Sequence, residues 1–268
     1  MKYSKFTVNM LTVICASSLA TACVSNSDQV RSHQTRAENS EAVNSEANLG
    51  YLKGYDADII DVELVLPEPA TVTDAVYFND WYQYYKNKPL RDTQRGDLAR
   101  TEASLSVDSL MNFSKAFGIQ LSPENTPDIW HMLQRACYNL FDANSKIKNR
   151  YKRIRPYVQY NDSTGYAPEE AKSRKSFSYP STHAVLGFGI ALLLSEVNPD
   201  RQNEILKRGY ELGQSRVILG YHYQSDVRAA RLVAAMVTAS MHSDSEFLRD
   251  MEKAKAELRQ KSEYKEYK

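Results

Sequence analysis

The chain has 268 residues, a formal net charge of +1, 42% hydrophobic and 25% charged residues, and three cysteines. That is enough apolar side chain for one large core, too little basic excess to point to a nucleic-acid partner, and too few cysteines for a disulfide framework. Beyond the first 22 residues no apolar run approaches the roughly 20 residues a membrane-spanning helix needs.

The first element is a targeting segment. Lys2 and Lys5 form a basic start, residues 6–19 are mostly apolar, and Ala20, Thr21 and Ala22 offer the small side chains of a cleavage site, so residues 1–22 read as a signal peptide. Its removal takes away two lysines and turns the formal charge from +1 to −1. Cys23 would then be the first residue. Leu19-Ala20-Thr21-Ala22-Cys23 is a permissive lipidation box with alanine where leucine is usual, so the expected location is the periplasm, soluble or lipid-anchored through Cys23.

Residues 23–50 are rich in Ser, Asn, Gln and Glu and read as a disordered tether. The single domain spans residues 51–268. It opens with an extended segment over 51–69, followed by an aromatic-rich helical stretch carrying Tyr77, Trp81, Tyr82, Tyr84 and Tyr85. Helix starts and stops then recur at Ser122-Pro123, Thr126-Pro127, Pro180-Ser181 and Asn198-Pro199, with little strand alternation, which favours an all-α architecture. Cys137, within a helical pattern, reads as a buried small hydrophobe.

Three clusters carry the chemistry. A helix over 139–154 would present Lys148 and Arg155 on one face two turns apart, while Pro156 disfavours its continuation and biases Arg155 toward extended backbone. Taken alone, the six basic residues from Lys146 to Arg155 read more simply as a solvated face or a nucleic-acid patch. Ser181 stands at an N-cap ahead of an apolar run, so the amides of Thr182 and His183 would favour an anion at a helix start. In the third cluster, His222 and Asp226 are four residues apart, Ser225 is positioned to cap a helix from Asp226 to Met241, and Arg216 supplies a planar donor fork. A carboxylate beside an imidazole fixes its tautomer and leaves the other nitrogen able to attack; a purely structural His–Asp pair has the same spacing.

Together, Lys148 with Arg155-Pro156, Pro180-Ser181-Thr182-His183, and Ser215-Arg216 with His222 and Asp226 keep every spacing of the pattern K-x6-RP, PSGH, SR-x5-H-x3-D, with threonine at the glycine of the second motif. The chain thereby resembles the class A bacterial nonspecific acid phosphatases of the phosphatidate phosphatase type 2 and vanadium haloperoxidase superfamily, over roughly residues 62–258. The resemblance implies a single helical domain of that type and a secreted, metal-independent acid phosphatase working through a phosphohistidine. It implies that His222 is the nucleophile, Asp226 its orienting partner and His183 the proton donor. Lys148, Arg155, Ser181, the amide of Thr182 and Arg216 would hold the phosphate of a small-molecule ester, with no cofactor and no metal. Alternatives within the same resemblance are a nucleoside polyphosphate hydrolase, a phosphotransferase, or a non-catalytic phosphate-binding lipoprotein; assembly into a homo-oligomer stays open. Three departures stand out, the first being Ala184 where a threonine is common. Thr182 occupies a glycine position of the pattern, and Leu219 stands where relatives often carry a cysteine.

Overall fold

A computed structural model describes residues 49–261. The signal segment, Cys23 and nearly all of the tether lie outside the described residues. The described chain is helical, without a strand, as the sequence pattern indicates.

The main helices are α1 (Ala75–Asn87), α2 (Gln94–Thr101), α3 (Pro127–Tyr151), α4 (Thr182–Val197), α5 (Gln202–Ile218), α6 (Gln224–Met241) and α7 (Ser245–Gln260), with short helical turns between them. Helix α4, Thr-His-Ala-Val-Leu-Gly-Phe-Gly-Ile-Ala-Leu-Leu-Leu-Ser-Glu-Val, is apolar nearly all round and is correspondingly central, packed on α3, α5 and α6. Its closest approach is to α5. A Cβ on Gly209 would fall 2.4 Å from Ala191 Cβ and 2.6 Å from the Gly187 carbonyl, so only glycine lets the two backbones come together there. Helix α3 buries Ile129, Met132, Leu133, Ala136, Leu140 and Ile147, and α7 closes over it with Phe247, Met251, Ala254 and Leu258.

The segment before α1 runs irregularly, with one short 3-10 turn at Val62–Leu64, and buries Tyr51, Tyr55, Val62 and Leu66 in the core. The aromatic stretch divides between core and surface: Tyr84 is buried, whereas Trp81, Tyr82 and Tyr85 are exposed. Cys137 is fully buried in α3, and burial pushes its thiol pKa up. Leu219 is also buried, against Ala99, Tyr157 and Tyr221, so an apolar contact occupies the cysteine position of the family pattern.

Two local expectations are corrected. Helix α3 ends at Tyr151, where Lys152 turns left-handed (φ 50°), so Lys148 and Arg155 do not share one helical face. Arg155 instead precedes a short turn, Pro156–Gln159, in extended backbone (φ −72°, ψ 148°), because Pro156 disfavours helical backbone at its predecessor. Helix α6 begins at Gln224 rather than Asp226, and its cap is Tyr223. Asp226 accepts from the Tyr223 amide at 2.8 Å, while Ser225 turns its hydroxyl toward Asp80.

Candidate active site

The three clusters converge where the N-terminal ends of α4 and α6 meet side chains from the end of α3 and the segment after it. Ser181 occupies the N-cap position of α4 in extended backbone without a side-chain capping bond, and its own amide is bonded to the Asp226 carbonyl at 3.3 Å, which ties the second cluster to the third. Lys148 reaches the same loop from α3: its Nζ donates to the Pro180 carbonyl at 2.7 Å and the Phe177 carbonyl at 2.9 Å. His222 is delivered by a tight turn after α5. Gly220 adopts φ +84°, the left-handed conformation that ends a helix cheaply only in glycine, and the amides of Tyr221 and His222 fold back onto the Arg216 carbonyl.

His222 is 2% exposed and faces a different partner on each nitrogen. Its Nε2 lies 3.0 Å from Arg155 Nη1, and because a guanidinium can only donate, Nε2 holds a lone pair. Its Nδ1 stands 3.5 Å from Asp226 Oδ2, an ion-pair distance longer than a good hydrogen bond. Arg155 is held by carbonyls of Ser173 and Tyr221, each at 3.0 Å, and by Ser176 Oγ at 2.9 Å. Arg216 pairs with Glu169 at 2.8 Å through Nη2, while its Nε and Nη1 are buried without a partner, as is the hydroxyl of Ser181. Buried donors of that kind are costly unless something accepts from them. With the first amides of α4, which have no intrahelical acceptor, they form a seat for an anion.

Electrostatics agree. Burial first, then Arg155 and Arg216, holds Lys148 well below its ordinary pKa; burial and Arg216 bring Arg155 down to about 10. Burial and the Arg155 charge keep His222 well below the usual imidazole value, with Asp226 offsetting only part. His183 is lowered as well, by burial, Arg216, His222 and Arg155, although its Nε2 meets the Ala103 carbonyl at 2.8 Å. Both imidazoles are therefore biased toward the neutral form in the free protein, and the repulsion from neighbouring cations is the part a bound anion would relieve.

Thr182 lies in helical backbone, and among non-glycine described residues only Lys152 and Asn161 have positive φ, so its amide is presented as a glycine amide would be. Its hydroxyl accepts from Asn144 Nδ2 at 3.0 Å.

Sequence reasoning missed a buried ion network behind Asp226. Burial alone would push that carboxyl up, but the Arg153 charge, His222 and Ser178 Oγ outweigh it and hold it well below the usual carboxylate range. Arg153 donates to Asp226 Oδ1 at 2.6 Å and to Asp80 Oδ2 at 2.9 Å, with its guanidinium 3.9 Å from the Tyr223 ring centre. Arg153 was visible only as one of six basic residues, and nothing local marks Asp80, which comes from α1. Ser215, by contrast, does not face the anion seat: it hydrogen-bonds the buried carboxylate of Glu102 and accepts from Arg95 at 2.8 Å.

Among the described residues no group of His, Cys, Asp and Glu is placed to hold a metal ion, and no helix is long and apolar enough to cross a membrane. A family model described as the PAP2 superfamily matches residues 132–249. The chain is 44% identical over 213 residues to the non-specific acid phosphatase of Providencia stuartii, covering 79% of this chain and 85% of that protein. It is 36% identical over 205 residues to the non-specific acid phosphatase of Salmonella typhimurium, covering 76% and 82%. An acid phosphatase of Zymomonas mobilis is 32% identical over 199 residues, covering 74% and 75%.

Proposed function

This chain belongs to the bacterial non-specific acid phosphatases of the PAP2 superfamily, and on that premise we propose that it hydrolyses small phosphate monoesters through a phosphohistidine on His222. The observation that carries the reading is the set of buried, unpartnered donors, Arg216 Nε and Nη1 and Ser181 Oγ, together with a histidine whose Nε2 lone pair faces the Arg155 guanidinium.

In this reading the phosphoryl oxygens take the donors of Arg216, Arg155, Lys148, Ser181 and the Thr182 amide. Arg155 moves its Nη1 from His222 Nε2 to the phosphate as substrate enters, which frees the lone pair. Nε2 then attacks phosphorus, the bond to the ester oxygen breaks, and His183 gives that oxygen a proton. Asp226 steadies the positive charge that builds on His222. In the second half, His183 takes a proton from water, the water oxygen bonds to phosphorus, the P–N bond breaks and inorganic phosphate departs. Fixed cations and amides carry the transferring charge throughout, so the route calls on no metal. Acid quench of a labelled substrate tests it: phosphate should be trapped covalently on the wild type and absent from His222→Ala, and a labelled His222→Ala protein would move the nucleophile elsewhere.

We further propose export, with residues 1–22 as a signal peptide, 23–50 as a tether and the domain beginning near residue 51. The support is the basic start, apolar run and small residues of the leader. The mass of the mature N-terminus separates the two exported forms: a diacylated Cys23 gives a lipid-anchored periplasmic protein, an unmodified terminus a soluble one. An uncleaved Met1 would reject both.

A further inference from the structure

His183 borders a small cavity lined also by Glu102, Leu105, Phe113, Leu186 and Leu212. Its Nε2 hydrogen-bonds the carbonyl of Ala103, a residue 80 positions away, at 2.8 Å. That carbonyl belongs to the buried stretch just after α2, and the neighbouring residue, Glu102, is what fastens the stretch in place. The Glu102 carboxylate is buried and takes one donor on each oxygen, Arg208 Nη1 on Oε1 and Ser215 Oγ on Oε2, both from α5. Arg208 also clamps the following segment through Nε to the Asn112 carbonyl at 3.0 Å, and Arg95 braces Ser215 from α2.

A carbonyl only accepts, so Nε2 of His183 carries a hydrogen in both the neutral ring and the imidazolium. The neutral ring therefore has its lone pair on Nδ1. We propose that Glu102 is a positioning residue for His183: by anchoring the Ala103 carbonyl it fixes the ring and its tautomer, and so makes Nδ1 the atom that exchanges the proton. This rests on the proton-transfer role of His183 proposed above. On ester cleavage the Nδ1–H bond breaks as the O–H bond of the leaving alcohol forms, the electron pair stays on Nδ1, and Nε2–H remains on Ala103. On hydrolysis Nδ1 takes a proton from water and the imidazolium is restored. Ser215, within the family pattern yet turned away from the anion seat, acquires a purpose in this arrangement as a partner of Glu102.

Two readouts test the proposal in the mature protein. In histidine-labelled protein, nitrogen NMR should show His183 as the Nε2–H tautomer at a pH where the ring is neutral. Glu102→Gln keeps the side-chain shape but loses the carboxylate, and should give a mixture of tautomers. It should also lower kcat/KM for an alkyl phosphate about tenfold more than for p-nitrophenyl phosphate, because only the poor leaving group needs the proton. Should Glu102→Gln fail to fold, Ser215→Ala removes one of the two carboxylate partners and is read in the same two ways, with a smaller difference. An Nδ1–H tautomer in the wild type overturns the proposal, as does a folded variant with an unchanged tautomer and equal losses on both esters. Absence of turnover by every form, wild type included, would sink the phosphatase reading instead and leave the tautomer result standing on its own.

Discussion

Arg153→Met isolates the network behind the His222–Asp226 pair. Asp80 and Asp226 are both fully buried, and Arg153 is the cation that touches both, at 2.9 and 2.6 Å. Removing one partner of a buried ion pair costs about 3–5 kcal/mol because a buried charge is left uncompensated. Here each carboxylate keeps other donors, Ser225 for Asp80, Ser178 and the Tyr223 amide for Asp226, so the lower end, about 3 kcal/mol, is expected. For a domain of this size that corresponds to a fall in Tm of roughly 6–12 °C. Adding Asp80→Asn removes the second unpaired charge and should restore part of the loss, so thermal unfolding of the four proteins of the cycle gives a coupling energy. The pH dependence has a definite sign. Asp226 titrates low in the folded chain, so the stability it contributes is present above its unfolded value and disappears as pH falls through the folded one. Without Arg153 that folded value rises, and acid unfolding should begin at a higher pH. A single variant within about 1 kcal/mol of wild type would show that Arg153 does not hold Asp226 in place, and losses that simply add in the double variant would show that it is not coupled to Asp80.

The lowered histidine values predict how an anion and pH act together. His183 and His222 stay neutral in the folded chain while the unfolded chain protonates near pH 6.5, so the free protein should lose stability as pH falls below about 6.5. Sulfate, whose charge is constant over that range, should restore it and bind more tightly as pH falls; sulfate affinity independent of pH between 8 and 5 would reject the coupling. Thr182→Gly strips Asn144 of its hydrogen-bonded hydroxyl and should cost about 1–3 kcal/mol on unfolding, while its amide still supports hydrolysis of an aryl phosphate. Loss of phosphate affinity in that variant would make the hydroxyl a ligand in its own right.

What could be read in the sequence was local. Pro180-Ser181 before an apolar run fixes where α4 starts, Asn198-Pro199 where it stops, and Pro156 forces Arg155 out of helical backbone; these follow from φ limits and missing N–H groups that act within a few residues. The candidate site residues could be picked out for the same reason, since Lys148, Arg155, Ser181, Thr182, His183, Arg216, His222 and Asp226 sit at characteristic spacings in three short clusters. The end of α3 at Lys152 was misplaced because a left-handed lysine carries no glycine signal. Tertiary structure alone decided how the clusters are aimed. Arg155 meets His222 across 67 residues, Asp80 meets Arg153 across 73, and Glu102 meets Ser215 across 113. None of those pairings has a local signature, because a buried carboxylate and a solvated one are the same letter until the chain closes around it and burial makes an ion partner obligatory.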